Sequence, residues 1–183
     1  MSTKTVKLAL ILFVAAGVSA ATLSMIYSVT KPKIDEFKVV TLQANLREVL
    51  QGAVEFPVII PDTLWRGIDS AGVAVGIAFK VFPKGYGGPI ETLVGVRNDT
   101  TVAGIIIASP AEGMRETPGL GLKVREDWFR DQFREKKKEK LFLKKDGGEL
   151  DAITAATISS RAVVNGVREG IEKYAQQLVE EEE

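Results

Sequence analysis

The sequence contains neither cysteine nor histidine among its 183 residues. Disulfides, protein-ligated iron–sulfur clusters and c-type haem attachment require cysteine, while ordinary zinc sites and histidine-bearing triads need one or both residue types. All of these are therefore excluded, and we assign no catalytic residue and no metal ligand from the sequence. Any redox chemistry must come from an organic cofactor or from partner subunits.

The chain also lacks an excess of charge of either sign, since 24 Lys and Arg residues balance 24 Asp and Glu residues. Nucleic-acid-binding surfaces are usually net basic, so this balance argues against a nucleic-acid partner. The lysine-rich residues 136–140 are interpreted as a solvated helix face. The acidic tail, residues 180–183, is interpreted as a frayed helix end, because acidic groups there oppose the helix dipole.

Charged side chains are missing from residues 8–27, "LALILFVAAGVSAATLSMIY". About twenty apolar residues suffice to cross a bilayer as a helix. A cleaved signal peptide is the alternative, because "VSA" at residues 18–20 resembles a cleavage site. The apolar run continues past the usual signal-peptide core, which favours a retained anchor over residues 1–30. Lysines flank both ends, so they barely define its orientation.

The remaining residues, 31–183, are predicted to form one α+β domain, an antiparallel sheet flanked by helices. Short Val- and Ile-rich segments separated by turn sequences predict strands at residues 65–69, 73–81, 93–96 and 102–108, with tight turns at 69–72 and 98–100.

Apolar spacing predicts helices over residues 35–50 and 126–140, the second burying Trp128, Phe129 and Phe133. A further strand is expected at residues 140–143. A closing helix from Ile158 should bury one stripe, formed by Ile158, Ala162, Val163, Val167, Ile171, Tyr174 and Leu178.

Four hydroxyl side chains precede or open the closing helix: Thr154, Thr157, Ser159 and Ser160. An elaborate helix cap is one interpretation, with Asp151 or Thr154 as the capping residue. The other is an anion site. Free backbone N–H groups and the helix dipole favour a phosphate there, and Ala155 and Ala156 permit its close approach.

Two loops are further candidates for chemistry. In "RETPGLG", residues 115–121, Pro118 and Gly119 suit a type II turn that would hold carboxylate, hydroxyl and apolar groups against a flat heterocycle. In "KGYGGPIE", residues 84–91, three glycines surround Tyr86 and would let an aromatic lie over a cofactor. A plain turn and a flexible connection are the respective alternatives.

Together, "GYGGPIETLVGV", "ETPGLG" and "DAITAATISSRAVVNGV", behind an N-terminal anchor, resemble the G subunit of Rnf-type electron-transport complexes. The same FMN-binding domain occurs in the C subunit of Na⁺-translocating NADH:quinone reductase. The resemblance implies FMN joined to Thr157 by a phosphoester bond that a flavin transferase makes. It implies cofactor contacts from Tyr86, Gly87, Glu116, Thr117, Leu120, Gly121, Thr154, Ala155, Ala156 and Ser160.

Two positions depart from the family pattern that the resemblance carries. The usual glycine is Ala155 here, and an acidic residue is common where this chain has Leu122. Alanine is the smallest change and prefers a helix, so the site is expected to persist with altered transferase efficiency. Leu122 removes a polar contact and leaves the cofactor in place.

The resemblance implies a single-pass, membrane-anchored subunit that relays electrons and has little or no catalytic activity alone. Its complex, with other membrane and peripheral subunits, would pass electrons between ferredoxin and NAD⁺ while moving Na⁺ or H⁺. The FMN domain would lie on the outer, periplasmic face of the cell membrane. Two alternatives stay open: a stand-alone FMN-domain reductase or regulator, and a cofactor-free membrane-anchored binding module.

Overall fold

The computed structural model describes residues 3–178 and divides the chain into two compact units, Met1–Gln43 and Ala44–Glu183. Helix α1, Thr3–Val49, contains both the predicted anchor and nearly all of the helix expected over residues 35–50, with Pro32 inside it. Among the described residues, α1 is the one helix long and apolar enough to cross a membrane, and none of its most apolar stretch is buried.

The second unit contains a five-stranded antiparallel sheet in the order β1-β2-β3-β4-β5. The strands are β1 Val58–Ile60, β2 Leu64–Ile68, β3 Ala74–Val81, β4 Thr92–Arg97 and β5 Val102–Ile107. Four of the five predicted strands, those between residues 65 and 108, are confirmed, and β1, only three residues long, was not predicted. Each strand pairs with the next along the chain because short connections permit antiparallel neighbours.

Both predicted tight turns are present between these strands. After β2, Oδ1 of Asp69 accepts hydrogen bonds from the backbone N–H groups of Ala71 and Val73, at 2.8 and 2.9 Å. Between β4 and β5, Thr100 adopts a positive φ of 67°. Asp side chains that bond the backbone two residues further on are typical of such turns.

Helix α3, Thr157–Tyr174, packs on one face of the sheet. The ring centroids of Phe79 and Tyr174 lie 5.1 Å apart, and a Cβ on Gly170 would come within 2.3 Å of the Phe79 ring. The last turn of α1 packs on the opposite face, where a Cβ on Gly95 would come within 2.1 Å of the Val49 carbonyl oxygen. The sheet is therefore covered by a helix on each side.

The helix predicted over residues 126–140 is mostly wrong. Helix α2, Asp127–Arg130, is four residues long and is followed by a 3-10 turn, Asp131–Phe133. Beyond it, Glu135 N–H donates to Val102 O and Val102 N–H donates to Lys136 O, at 2.9 and 3.0 Å. These bonds to the start of β5 satisfy backbone groups that a continuing helix would have used.

Other details of this region also differ from prediction. Phe129 and Phe133 are buried, but Trp128 is 46% exposed. Lys138–Lys140 forms a 3-10 turn and not a long helix face. The strand expected at residues 140–143 is wrong: its leucines are buried, yet only an isolated bridge joins Leu143 to Leu150.

In α3 the predicted stripe is buried from Ala162 to Tyr174, whereas Ile158 is 55% exposed. The buried positions of this first turn are taken by Ser159 and Ser160, and Ile158 faces solvent. The acidic tail at residues 180–183 lies outside the described residues.

Candidate functional site

The carboxylate of Glu116 connects the three segments that the sequence marks as candidates. Its Oε1 accepts a hydrogen bond from the Gly87 N–H at 3.0 Å, and its Oε2 accepts one from the Ser159 hydroxyl at 2.9 Å. Glu116 is 6% exposed and Ser159 is 1% exposed. The glycine-rich loop, the "ETPGLG" loop and the start of α3 therefore meet at one buried carboxylate.

Two glycines provide the space that this carboxylate occupies. A Cβ on Gly85 would come within 2.3 Å of Glu116 Oε1, and a Cβ on Gly121 would come within 2.1 Å of Oε2. A Cβ on Gly87 would meet the Arg115 carbonyl oxygen at 2.0 Å. These glycines allow the glycine-rich loop and the "ETPGLG" loop to approach each other closely, which is more than a contribution to chain flexibility.

The predicted type II turn in the "ETPGLG" loop is confirmed by two observations. The Leu120 N–H donates to the Thr117 carbonyl oxygen at 3.2 Å, and Gly119 has a φ of +75°. Proline at the second position and glycine at the third are the residues such a turn requires. The turn leaves the side chains of Thr117 and Leu120 exposed beside the buried Glu116.

The glycine-rich loop closes on itself in a similar way. The Gly85 N–H donates to the Gly88 carbonyl oxygen at 2.8 Å, and Lys84 pairs with Pro89 in an isolated antiparallel bridge. Tyr86 stands at the tip of this turn with 74% of its surface exposed. The aromatic residue therefore lies between two glycines that contact Glu116, Gly85 and Gly87, and is not packed into the core.

The four hydroxyls at the start of α3 divide into two pairs. Ser159 and Ser160 are buried: Ser159 bonds Glu116, while the Ser160 hydroxyl accepts from Ile153 N–H and donates to Ala156 O, both at 3.0 Å. Thr154 is exposed and Thr157 is half-buried. The cap interpretation is therefore wrong: α3 begins at Thr157, and among the described residues no side chain of Asp151 or Thr154 accepts a hydrogen bond from the N–H groups of its first turn.

Ala155 lies before the helix with a φ of +62°, in the left-handed region. The expectation that alanine fits this position because it prefers a helix is therefore wrong. In this left-handed conformation a residue with a Cβ is about 1–2 kcal/mol less favourable than glycine. This is a physical reason for the glycine that the family pattern has at the position. Ala156, which follows, is buried.

Leu122 is half-buried and packs against the hydrophobic core, while its N–H donates to the Thr117 carbonyl oxygen at 3.2 Å. An apolar side chain is therefore accommodated where the resemblance led us to expect an acidic one.

The surroundings of Thr157 suit an anion. In the part of the chain that the structure describes, no acceptor bonds the backbone N–H groups of Thr157, Ile158 and Ser159. The Lys145 Nζ donates to Thr157 Oγ1 at 3.4 Å. Free N–H groups at the start of an 18-residue helix and a nearby ammonium both favour negative charge.

The segment that carries Lys145 is tied to α3 by an ion pair. Nε and Nη2 of Arg161 donate to Oδ2 and Oδ1 of Asp146, both at 2.8 Å. This hydrogen bonding lowers the pKa of Asp146 and raises the pKa of Arg161. The neighbouring Lys144 pairs with Asp151 at 2.7 Å.

Most of the site residues named from the sequence are brought together. Gly87, Glu116 and Gly121 meet directly, and Tyr86, Thr117 and Leu120 are exposed beside them. The Ser159 hydroxyl connects this group to the "TAAT" segment, which consists of Thr154, Ala155, Ala156 and Thr157. The buried Ser160 bonds the backbone of the same segment at Ala156. The cofactor contacts predicted from the sequence did not include Ser159, although its hydroxyl was noted. They also did not include Lys145, which no local sequence pattern distinguishes.

Comparisons with known proteins define the class. The family described as an FMN-binding domain matches residues 85–172, which contain all three segments apart from Lys84. The G subunit of the proton-translocating ferredoxin:NAD(+) oxidoreductase complex of Clostridium ljungdahlii is 32% identical over 159 residues, covering 85% of this chain and 84% of that protein. The G subunit of the Na(+)-translocating complex of Acetobacterium woodii is 34% identical, covering 92% and 90%.

The chain therefore belongs to the family of G subunits of Rnf-type ion-translocating oxidoreductase complexes, as the sequence motifs predict. The crystal structure of NqrC from Shewanella oneidensis is similar in fold, with a TM-score of 0.51 over 70% of this chain and 72% of that one. At 19% identity this likeness concerns the fold alone.

Proposed function

We propose that this chain is a membrane-anchored flavoprotein subunit that relays electrons through FMN joined to Thr157. The observation that carries the proposal is the meeting of the three segments at Glu116, with the Thr157 hydroxyl at the surface beside them. Membership of the G-subunit family supports FMN as the cofactor and other complex subunits as partners.

The residues present fit a flavin. An isoalloxazine ring needs apolar or aromatic surface for its faces and polar groups for its edge. Tyr86 and Leu120 are 74% and 41% exposed and lie on loops whose neighbouring residues hold the buried Glu116. The exposed Thr117 hydroxyl and the backbone of the glycine-rich loop supply polar groups.

The phosphate end also has suitable groups. Thr157 begins α3, so a phosphoester on its hydroxyl places negative charge at the positive end of the helix dipole. Its half-buried position leaves the hydroxyl within reach of a flavin transferase. Bound FMN would supply reversible electron acceptance, and this chain would bind the cofactor, orient it and set its electrostatic surroundings.

The complex would couple electron transfer between ferredoxin and NAD⁺ to ion movement. The relatives include proteins named as proton-translocating and as Na(+)-translocating, so the similarity selects neither ion. We place the lipid-embedded anchor in residues 1–30 and the FMN-binding domain after it, on the outer face of the membrane. The helix continues to Val49, and the compact unit begins at Ala44.

Coexpression with a flavin transferase tests the attachment. Peptide mass spectrometry should find an FMN moiety on the peptide spanning residues 151–161, and the protein band should fluoresce after denaturing electrophoresis. Thr157→Ala should abolish both signals, whereas Thr154→Ala, which removes the other exposed hydroxyl, should retain them. An adduct that persists in Thr157→Ala would contradict the assignment.

The same material separates the alternatives. A cofactor-free binding module would give neither adduct nor fluorescence under conditions that modify a known acceptor protein. A stand-alone reductase or regulator would be flavinylated but would purify from membranes without other subunits. The proposed function requires both the adduct and co-purifying membrane subunits.

A further inference from the structure

We propose that Lys145 binds the phosphate that links the flavin to Thr157 and accelerates its attachment. This inference rests on the flavin attachment proposed above and adds a residue that lies in none of the three sequence motifs. It begins from one contact: the Lys145 ammonium donates to Thr157 Oγ1 at 3.4 Å, across twelve residues of chain.

The charges on either side of Lys145 are already paired, although Lys145 also acts on Asp146 through its charge and helps to lower the pKa of that carboxyl. Lys144 forms an ion pair with Asp151 at 2.7 Å, and Asp146 is held by two hydrogen bonds from Arg161. Within residues 3–178, no carboxylate lies at ion-pair distance from the Lys145 ammonium. Lys145 is therefore the cation available to a group placed on Thr157.

The ion pairs on either side also fix the position of Lys145. A bidentate Arg–carboxylate pair has a defined geometry, so the Asp146–Arg161 contact anchors the segment to the second turn of α3. The Lys144–Asp151 contact ties it to the chain that leads into the same helix. The ammonium is thereby kept near the three unbonded N–H groups at the helix start.

The attachment reaction places negative charge at this point. Thr157 Oγ1 forms a bond to the flavin-side phosphorus of FAD, the bond from that phosphorus to the bridging oxygen breaks, and AMP leaves with the electron pair. The hydroxyl proton passes to a base of the transferase. Negative charge on the phosphoryl oxygens is stabilised by an adjacent cation both during transfer and in the anionic diester product.

The other candidate cation is already occupied. Arg161 lies on α3 itself, but its Nε and Nη2 donate to Asp146. A guanidinium in such a pair is less available to a phosphate than the ammonium of Lys145.

A kinetic experiment tests the proposal directly. Purified protein without flavin is incubated with flavin transferase, FAD and Mg²⁺, and the adduct is followed by intact mass at several acceptor concentrations. Lys145→Met should lower the kcat for attachment about tenfold, as expected for loss of a charge-assisted contact. The KM for the acceptor protein should stay within about twofold of the original, and Lys145→Arg should recover most of the rate.

Lys144→Met is the matched control, because it removes the same charge from the adjacent residue. Its kcat should stay within about threefold of the original, since that lysine faces Asp151. A fall as large as in Lys145→Met would show that general positive charge matters and would overturn the assignment. A Lys145→Met effect confined to KM would indicate transferase docking and would also overturn it.

The outcome is separable from the proposed function. If the unmutated chain gains no flavin adduct, the proposed attachment to Thr157 is wrong. If the chain gains the adduct and Lys145→Met gains it at the same rate, only the proposed role of Lys145 is wrong.

A second measurement does not depend on the transferase. In fully flavinylated protein, the phosphorus-31 resonance of the diester should shift in Lys145→Met and stay unchanged in Lys144→Met. Equal spectra would contradict contact between Lys145 and the phosphate.

Discussion

The Ser159 hydroxyl donates a 2.9 Å hydrogen bond to Glu116 Oε2 across 43 residues of chain. Both side chains are buried, and the bond joins the first turn of α3 to the loop that carries the type II turn. The proposed attachment residue, Thr157, and the loop expected to contact the flavin ring are therefore held in a fixed relation. This relation makes Ser159 as much a part of the site as the residues in the motifs.

Ser159→Ala should lower the free energy of unfolding by about 1–3 kcal/mol, because it leaves a buried carboxylate with one donor fewer. Denaturant unfolding of the flavin-free protein measures this change. Thr154→Ala, an exposed hydroxyl in the same segment, is the control and should alter stability by less than about 0.5 kcal/mol. Equal stability of the two variants would show that the Ser159–Glu116 bond contributes little.

Gly119→Val should disturb the type II turn strongly. The space around this glycine is open, since no atom lies within 4 Å of a Cβ built there, so a steric clash is not the cause. The φ of +75° is the cause, because a β-branched residue tolerates it badly. We expect a shifted flavin absorbance and slower flavinylation.

Gly119→Asn is the matched control for that variant. Asparagine adds a side chain but visits the left-handed region more readily than valine. Its absorbance and flavinylation should lie close to those of the original protein. If Gly119→Val itself gives unchanged spectra and full modification, the turn lies away from the cofactor.

Ala155→Gly should stabilise the protein. The left-handed φ of +62° costs an alanine about 1–2 kcal/mol, and glycine's greater entropy in the unfolded chain offsets about 0.5–1 kcal/mol of the gain. The expected increase in unfolding free energy is therefore at most about 1.5 kcal/mol. Ala156→Gly is the control and should destabilise, since that residue is buried. Destabilisation by Ala155→Gly would contradict the strain argument.

The sequence predicted those parts of the site that depend on local conformation. Pro118 and Gly119 define a turn by their own backbone preferences, and the Val- and Ile-rich strands follow from their pattern. The contacts of Ser159 with Glu116 and of Lys145 with Thr157 depend on tertiary structure, which brings distant segments together. No spacing rule within either segment marks them.

The wrong prediction of a helix over residues 126–140 has the same explanation. Its apolar spacing is helical, but the backbone at Glu135 and Lys136 bonds Val102 at the start of β5. Pairing with the edge of the sheet outweighs local propensity, which contributes only a few tenths of a kcal/mol per residue, about 0–0.7 for ordinary residues. The left-handed Ala155 was missed because alanine normally avoids that conformation.

The last prediction concerns the side of the membrane on which the domain lies. If the flavin is on the outer face, electrons from cytoplasmic donors must cross the membrane before they reach it. The flanking lysines do not decide the orientation, because large domains are translocated largely regardless of charge. The chain has no native thiol, so a single introduced cysteine reports its own location. Lys137→Cys places that thiol at an exposed site of the domain.

In intact cells, Lys137→Cys should react with a membrane-impermeant maleimide, after outer-membrane permeabilisation where an outer membrane is present. Thr3→Cys, at the exposed N-terminal start of α1, is the matched control and should react only after the inner membrane is lysed. The opposite pattern would place the domain in the cytoplasm. Electrons would then reach Thr157-bound FMN without crossing the membrane, and the proposed outward route would be wrong.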